Sequence, residues 1–320
     1  MNWTVENGSI AQPPFFCSGN VQSEREESVI SAYLVIIVSA LISVAAVILN
    51  SLICYIMATN SHLRTPSGTL VLYMAITDFL TGIVTVPLSI ARESLFVMET
   101  PHNCLVDDIF WHSGVVLTMV TLLLLSLLSV DRYLHALHSR KTSGWKLNRK
   151  YNFLVALIWL IAIGASVSVS KNEYYQAVSV APGIFIGIVT LAILCIAFTH
   201  AKVCLFLLKS RKVVAGSSVQ PSSDFRRRYV RKSVVTLIII IVFFGICCIP
   251  RLIYTILKLR HGPNGYEELY TWSATVVFVN SVVNPIIYIS RSSNIQRILK
   301  RYLENLVQSR QGSEMDVHPL

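Results

Sequence analysis

The chain has 320 residues, of which 53% are hydrophobic and 14% are charged. A soluble domain has roughly 45–50% apolar and about 25% charged residues, so this composition argues against a freely soluble enzyme. The formal net charge is +10, which would also suit a nucleic-acid-binding protein. The spacing of charged residues along the chain decides between these classes, because a helix that crosses a bilayer needs roughly 20 apolar residues.

Seven stretches of the sequence are long enough to cross a membrane, and only Asp78 and Arg251 place a charge inside them. They run from Glu27 to Arg64, Arg64 to Arg92, Asp108 to Asp131, Lys150 to Lys171, Glu173 to Lys202, Lys232 to Lys258 and Glu268 to Arg291. We therefore predict an all-α fold, a seven-transmembrane helix bundle of spans one to seven, over residues 29–303. Residues 1–28 and 304–320 are predicted to be tails outside the bilayer.

The loops between the spans predict how the bundle is oriented. Lys and Arg crowd the loops after spans one, three and five and the C-terminal tail, so the positive-inside rule makes these faces cytoplasmic. The N-terminal tail is then extracellular, and we call that side outer and the cytoplasmic side inner. The basic charge is thus an orientation signal, and no nucleic acid is expected as a partner. Sequons at Asn2 and Asn7 lie in the outer tail, where glycosylation is possible.

Two cysteines lie outside the predicted spans, on the outer side. Cys17 is in the N-terminal tail and Cys104 is near the start of span three. In an oxidising space they can form a disulfide that ties the tail to this span, or remain two free thiols. The sequence leaves both possibilities open.

Asp78 is a carboxylate near the centre of span two, where an unpaired charge costs several kcal/mol. Polar residues at similar depth in spans one, three and seven are potential partners: Asn50, Thr121, Asn280, Ser281 and Asn284. Such a cluster of oxygens can hold a proton or a small hard cation such as sodium. It can equally be a polar contact that only joins helices.

Two further sequence features, a charged tripeptide and a proline, are each weak evidence of function when taken alone. Asp131-Arg132-Tyr133 ends span three, where a charge pair and an aromatic ring can anchor a helix end at the headgroups. Pro285 lies inside span seven and permits a kink there, next to the titratable Asp78 cluster.

Taken in order, the motifs of residues 30–303 resemble those of the rhodopsin-like (class A) G-protein-coupled receptors. The matching residues are Leu49-Asn50, Leu63-Arg64-Thr65-Pro66, Met74-Ala75-Ile76-Thr77-Asp78, Asp131-Arg132-Tyr133, Trp159, Phe244 with Pro250, and Asn280-Ser281-Val282-Val283-Asn284-Pro285-Ile286-Ile287-Tyr288. Each motif is weak alone, but together they occur in the right order on the right spans.

The resemblance implies roles for these residues. Asp78, Thr121, Asn280, Ser281 and Asn284 would form an allosteric sodium pocket, with no other cofactor or metal. Asp131, Arg132 and Tyr133 would couple to a heterotrimeric G protein, with Arg132 engaging it directly. Pro250 and Pro285 would be bends, Tyr288 would swing inward on activation, and residues Asn294 to Tyr302 would form an amphipathic helix along the membrane.

The chain also departs from the family pattern. Cys248 replaces the usual tryptophan of span six, and no acidic residue lies near its inner end, so Arg132 would keep only Asp131 as an ionic partner. We therefore predict raised basal signalling. The position atop span three that usually carries a cysteine holds Asp107, and the loop after span four has none. In lacking these two cysteines the sequence resembles the melanocortin, cannabinoid and lysophospholipid branch of the family.

The sequence limits the chemical class of the ligand but does not identify it. Gly114 stands where monoamine receptors carry an aspartate, so an amine is disfavoured. Arg251, one residue after Pro250, carries a charge that is costly in hydrocarbon unless it is paired. An anionic ligand group could pair with it. Alternatively, it pairs with Glu267 or Glu268, or its side chain snorkels to the membrane surface. The other pocket candidates are Glu93, Asp107, Trp111 and Tyr270. This mixed set suits a peptide and a charged lipid equally.

The sequence therefore predicts a plasma-membrane receptor without catalytic chemistry, whose partners are an extracellular ligand, a heterotrimeric G protein and the lipid bilayer. The first alternative is a secondary transporter or channel that uses Asp78 and Arg251, but such proteins normally show paired helix breaks or repeated halves. The second is an intramembrane enzyme, for which His200 alone supplies no cluster of catalytic or metal-binding groups.

Overall fold

A computed structural model describes residues 29–63, 65–100, 104–137, 145–170, 180–214, 221–261 and 266–315. Over these residues the chain is helical, with no strand. Span one is Val29–Thr59, span three Cys104–Leu137, span four Trp145–Ser170, span five Val180–Val214 and span six Pro221–His261. Span two comprises Pro66–Leu80, Thr81–Thr85 and Val86–Val97, span seven comprises Glu267–Phe278 and Asn280–Arg291, and a C-terminal helix covers Ser293–Met315.

The seven-helix prediction is confirmed. Six described helices are long and apolar enough to cross a membrane, and span five contributes the shorter apolar segment Gly187–Val203. Large apolar side chains such as Leu41, Leu160 and Leu191 are mostly exposed on the outside of the bundle. Exposed apolar side chains at this density suit contact with lipid, whereas a soluble protein rarely exposes such large patches.

Span two begins with a capped turn and is interrupted halfway. The Thr65 hydroxyl accepts a hydrogen bond from the backbone nitrogen of Gly68, and Pro66 occupies the first helical turn, where its missing N–H costs nothing. Thr81–Thr85 form a π-helical turn. Because a π turn holds more residues than an α turn, the residues after it are rotated from the direction of an uninterrupted helix.

The π turn packs closely against span one. Ser43 donates its hydroxyl hydrogen bond to the Gly82 carbonyl oxygen at 2.7 Å. A Cβ atom at Gly82 would lie only 3.1 Å from Ala46 Cβ, so the absent side chain permits this approach. Beyond this turn, Ser89 and Glu93 face the interior of the bundle and are buried.

Span seven is interrupted at Val279, where one helix segment ends and the next begins. Pro285 lies inside the second segment and supplies no N–H to the helix. The inward face of this segment carries polar side chains that are buried: Asn280, Ser281 and Asn284. The broken helix therefore delivers polar groups to the same depth as Asp78.

The apolar core has two main parts. The larger extends through the middle and inner half of the bundle and includes Ile53, Met74, Leu124, Leu125 and Ile240. The smaller lies in the outer half and comprises Ile42, Val86, Phe110, Ala274 and Phe278. Polar residues between and beyond these parts form the sites described below.

The C-terminal helix begins where the sequence predicts it and extends further. Ile295 and Ile298 are buried against the bundle and Leu299 is partly buried, as expected for the apolar side. The helix does not stop at Tyr302 but continues to Met315. Tyr302 packs against the ring of Tyr55 and shares a 3.3 Å hydrogen bond with the Thr59 hydroxyl, which docks the helix on span one.

Candidate functional site

Asp78 lies at the centre of the bundle and is buried. Its Oδ2 atom accepts a hydrogen bond from Asn284 Nδ2 at 2.9 Å, which joins spans two and seven. Asn50 donates from Nδ2 to the Ser281 carbonyl oxygen at 2.7 Å and to that of Ala46 at 2.8 Å, which joins spans one and seven. The structure thus brings together the polar residues that the sequence grouped around Asp78.

A small cavity of about 20 Å³ adjoins Asp78 and is lined by Thr121, Asn280 and Ser281, with Phe244 and Phe278 among its apolar walls. This volume holds about one water molecule or a small ion. The Asn280 side-chain oxygen is buried and accepts no hydrogen bond within the described residues. Thr121 bonds back to the Leu117 carbonyl oxygen rather than to Asp78. Side chains that carry oxygen atoms therefore form part of the wall, and oxygen is the donor that hard cations prefer.

The Asp131 carboxylate at the inner end of span three is held by two hydroxyl groups. Ser67 Oγ donates to Oδ2 at 2.5 Å and Tyr151 OH donates to Oδ1 at 2.5 Å. The expected ion pair between Asp131 and Arg132 is wrong: no such pair forms in the described part of the chain. The reason is geometric, because successive residues of a helix point about 100° apart and Asp131 faces spans two and four.

Arg132 lines a cavity of about 260 Å³ that opens at the inner end of the bundle. Spans one, two, three, six and seven contribute to its wall, together with the start of the C-terminal helix. Arg132, Lys232 and Arg291 line it, and among the described residues no acidic side chain does. The inner cavity is thus a positively charged recess between the spans.

Two other predicted coupling residues, Tyr288 and Tyr133, lie in the inner half of the bundle, whereas Pro250 lies further outward on span six, next to Arg251. Tyr288 lines the inner cavity, but its hydroxyl points to Met74 Sδ at 3.4 Å. Tyr133 packs with Val203 and Val234, between spans five and six. Pro250 lies inside the continuous helix of span six.

The outer half of the bundle contains a second charged group, which we call the outer cluster. Arg92 donates from Nε to Asp107 Oδ1 at 3.0 Å and from Nη1 to Glu93 Oε1 at 3.1 Å. Glu93 is 0% exposed and Arg92 11% exposed. Thr271 Oγ1 accepts from Arg92 at 3.3 Å, so spans two, three and seven are joined here.

Arg251 lies near the outer cluster but has a different environment. Its guanidinium carbon lies 4.3 Å from the centre of the Tyr270 ring, 5.2 Å from that of Tyr254 and 5.6 Å from that of Trp111. Its hydrogen bond is to the Tyr270 carbonyl oxygen at 3.4 Å. Among the described side chains no carboxylate pairs with it, so pairing with Glu268 is wrong, while the side chain of Glu267 lies outside that set.

Several predictions fall on residues that the structure does not describe. Asn2, Asn7 and Cys17 lie before residue 29, and the side chain of Cys104 is likewise outside the described set. Glycosylation and the disulfide therefore stay predictions.

Sequence reasoning missed several partners of the named residues. Ser67 and Tyr151 are 64 and 20 positions from Asp131, and no sequence signal connects them. Thr271, on another span, was missed for the same reason. Tyr254 was recoverable, since a residue three positions after Arg251 lies on the same face of a helix.

The chain matches a known protein family over a segment that contains most of the residues described above. Residues 49–288 match the family described as 7 transmembrane receptor (rhodopsin family). This segment includes Asp78, Asp131, Arg132, Arg251 and Tyr288, and so contains the polar residues around Asp78, Arg132 of the inner cavity and the residues around Arg251.

Individual relatives are more distant. Rat G-protein coupled receptor 3 is 27% identical over 266 residues, which cover 78% of this chain and 76% of the rat protein. Mouse galanin receptor type 1 is 22% identical over 336 residues, covering 94% and 89%. Dog adenosine receptor A2a is 24% identical over 310 residues, covering 88% and 74%. The melanocortin, cannabinoid and lysophospholipid branch is not confirmed by these relatives.

Proposed function

Because the chain belongs to the rhodopsin family of seven-transmembrane receptors, we propose that it converts binding of an extracellular ligand into activation of a heterotrimeric G protein. The ligand enters from the outer side and stabilises one of two bundle conformations. Nucleotide exchange then takes place in the G protein, and the chain itself catalyses no reaction. The N-terminus is extracellular and the protein lies in the plasma membrane.

The inner cavity is the observation that carries this proposal. It is a recess between spans that must separate for a protein partner to enter, and Arg132 lines its wall. Lys232 and Arg291 add positive charge, which favours an acidic or carboxyl-terminated partner segment. Outward movement of span six at Pro250, with rearrangement of span seven at Pro285 and of Tyr288, would widen this recess.

Raised basal activity follows from the way Arg132 is held. Its neighbour Asp131 accepts hydrogen bonds from Ser67 and Tyr151, and no acidic residue of the described part of the chain lines the inner cavity. Arg132 is therefore not tied by an ion pair within the described residues. We propose that the inactive conformation is correspondingly less favoured, so that some receptor is active without ligand.

The Asp78 cavity is proposed as an allosteric sodium site. Its oxygen atoms come from Asp78, Thr121, Asn280 and Ser281, with Asn284 fixing the carboxylate. The Asn280 side-chain oxygen supports this reading, because it is buried and accepts no hydrogen bond from the described residues. A bound cation would stabilise the carboxylate charge and favour the conformation that closes the cavity.

The ligand class is a finer proposal. The relatives named above are receptors for galanin in one case and for adenosine in another, so they do not select one ligand chemistry. Gly114 offers no carboxylate to an amine. We propose a peptide or a charged lipid, the latter being consistent with the lysophospholipid branch that the sequence resembles.

The transporter alternative gains no support. Asp78 and Arg251 belong to separate polar groups, and no chain of hydrogen bonds connects them within the described residues. The rings of Phe110 and Phe278 pack edge to face, 6.4 Å apart, in the smaller part of the apolar core.

Nucleotide exchange tests the proposed function without a known ligand. Membranes that contain equal amounts of the wild-type chain or of Arg132→Ala are mixed with purified heterotrimers, and GTP-analogue uptake is measured. We expect the wild type to accelerate uptake and Arg132→Ala to return it to the level of receptor-free membranes. Arg149→Ala, an exposed arginine on span four, should behave as wild type. Equal uptake with wild type and Arg132→Ala on every heterotrimer would refute the proposal.

A further inference from the structure

Arg251 is surrounded by aromatic rings from three spans. Trp111 belongs to span three, Tyr254 to span six and Tyr270 to span seven, and all three rings lie within 5.6 Å of the guanidinium carbon. The side chain therefore faces the interior of the bundle, between spans three, six and seven. Rings at these distances stabilise its positive charge through their π faces.

The rings leave the hydrogen-bonding capacity of Arg251 largely unused. A guanidinium has five N–H donors in one plane, and aromatic faces do not replace oxygen acceptors for them. Among the described residues Arg251 has one acceptor, the Tyr270 carbonyl oxygen, at the long distance of 3.4 Å. A planar group of donors in a partly buried, apolar environment is well suited to an anion with two coplanar oxygens.

Arg92 shows what a satisfied arginine looks like in the same region. Its guanidinium carbon lies 4.9 Å from the centre of the same Tyr270 ring, and it contacts the carboxylates of Glu93 and Asp107 as well. These two acids are thus already engaged by a cation. Arg251 has the ring contacts but no acid among the described side chains, so the missing anion is the difference between the two sites.

We propose that Arg251 binds the carboxylate of an acidic ligand, and that Trp111, Tyr254 and Tyr270 contact the apolar part next to that carboxylate. This inference rests on the proposed function, because it assumes that the ligand enters the outer half of the bundle. A fatty acid and the C-terminus of a peptide present the same chemistry: one carboxylate on an apolar body. An amine ligand is excluded by it.

Matched acids and amides test the inference on the purified full-length receptor. The probes are 4-phenylbutyrate against 4-phenylbutyramide, oleate against oleamide, and acetyl-Leu-Phe as free acid against its amide. Binding is measured from the stabilisation of the receptor against thermal unfolding, which requires no G protein. We expect at least one acid to bind the wild type about tenfold or more tightly than its amide. The pair that shows the preference separates a lipid source from a peptide source.

Two substitutions assign the preference to this side chain. Arg251→Gln removes the charge and should abolish the acid preference, while Arg251→Lys keeps the charge without the planar donors and should retain part of it. Arg260→Gln, at the exposed end of span six, is the matched control and should leave the preference unchanged. If Arg251→Gln does not fold, the conclusion rests on Arg251→Lys, in which the acid-over-amide preference should fall by threefold or more.

The inference is overturned if acids and amides bind the wild type alike, if no acid among the probes binds it, or if Arg251→Gln retains the preference. It is also overturned if Arg251→Gln does not fold and the acid-over-amide preference of Arg251→Lys falls by less than threefold. Failure of the proposed function has a different signature, namely absence of Arg132-dependent nucleotide exchange. An acid preference that depends on Arg251 without any exchange would leave this site intact and remove the G-protein role.

Discussion

The outer and inner ends of the bundle treat their charged residues in opposite ways. At the outer end Arg92 contacts Glu93 and Asp107, so a cation and two carboxylates stabilise one another between spans two and three. At the inner end the Asp131 carboxylate is held by the hydroxyls of Ser67 and Tyr151. Arg132 next to it pairs with no acid in the described part of the chain.

The two arrangements are expected to contribute differently to the stability of the bundle. Buried ion pairs that join helices resist separation, because removing one partner leaves a charge in a medium that solvates it poorly. A cation that lines a cavity without an ion pair contributes little to stability and remains accessible to a partner. The outer cluster therefore joins the helices, whereas Arg132 in the inner cavity is available for the intermolecular contact that we propose.

Arg92→Ala is expected to have the largest effect on stability. It removes the guanidinium that both Glu93 and Asp107 contact, and loss of one partner of a buried ion pair costs about 3 kcal/mol. The free energy of unfolding is measured by denaturant titration of the purified protein in mixed micelles.

The inner arginine is the matched control for that experiment. Arg132→Ala should change the free energy of unfolding by about 0.5 kcal/mol or less, because no ion pair is lost. The double variant Arg92→Met with Glu93→Leu should recover most of the stability lost in Arg92→Ala. Equal destabilisation by Arg92→Ala and Arg132→Ala would show that the two ends do not differ as described.

Tyr151→Phe should have an intermediate effect, at the inner end. It removes one of the two hydroxyls that donate to the Asp131 carboxylate, and a hydrogen bond to a charged group contributes about 1.5–3 kcal/mol. Tyr33→Phe is the control, since Tyr33 is half-exposed on span one and its hydroxyl forms no hydrogen bond within the described residues. The same denaturant titration compares them, and equal stability of the two variants would contradict a structural role for the Tyr151 hydroxyl.

Removal of sodium, which we propose binds at the centre between the two ends, should destabilise the protein less than Arg92→Ala or Tyr151→Phe. Replacing sodium chloride by choline chloride at constant ionic strength should lower the stability of the wild type by about 1 kcal/mol, as for any ligand present at several times its Kd. Asp78→Asn should remove this dependence, whereas Tyr33→Phe should keep it. The unfolding midpoint in each salt is the measurement, and a sodium effect that survives in Asp78→Asn would exclude the proposed site.

The sequence by itself determined the transmembrane helices and most of the polar group around Asp78. Long apolar stretches leave a chain no alternative to membrane helices, because every backbone polar group must be satisfied inside the bilayer. The same constraint makes an isolated carboxylate at Asp78 conspicuous and points to the polar residues at its depth, of which Asn284 is its hydrogen-bond partner. Chain position and hydrophobicity are sufficient for these conclusions.

Only the tertiary structure decided which charged side chains meet. The sequence paired Arg132 with its neighbour Asp131 and offered Arg251 an acid from the start of span seven, and the described contacts support neither. Which side chains meet depends on the rotation and relative height of whole helices, and packing of many apolar side chains sets both. The π turn in span two is one such adjustment: it re-aims the residues beyond it, and Glu93 lies buried beside Arg92 rather than at the bilayer surface.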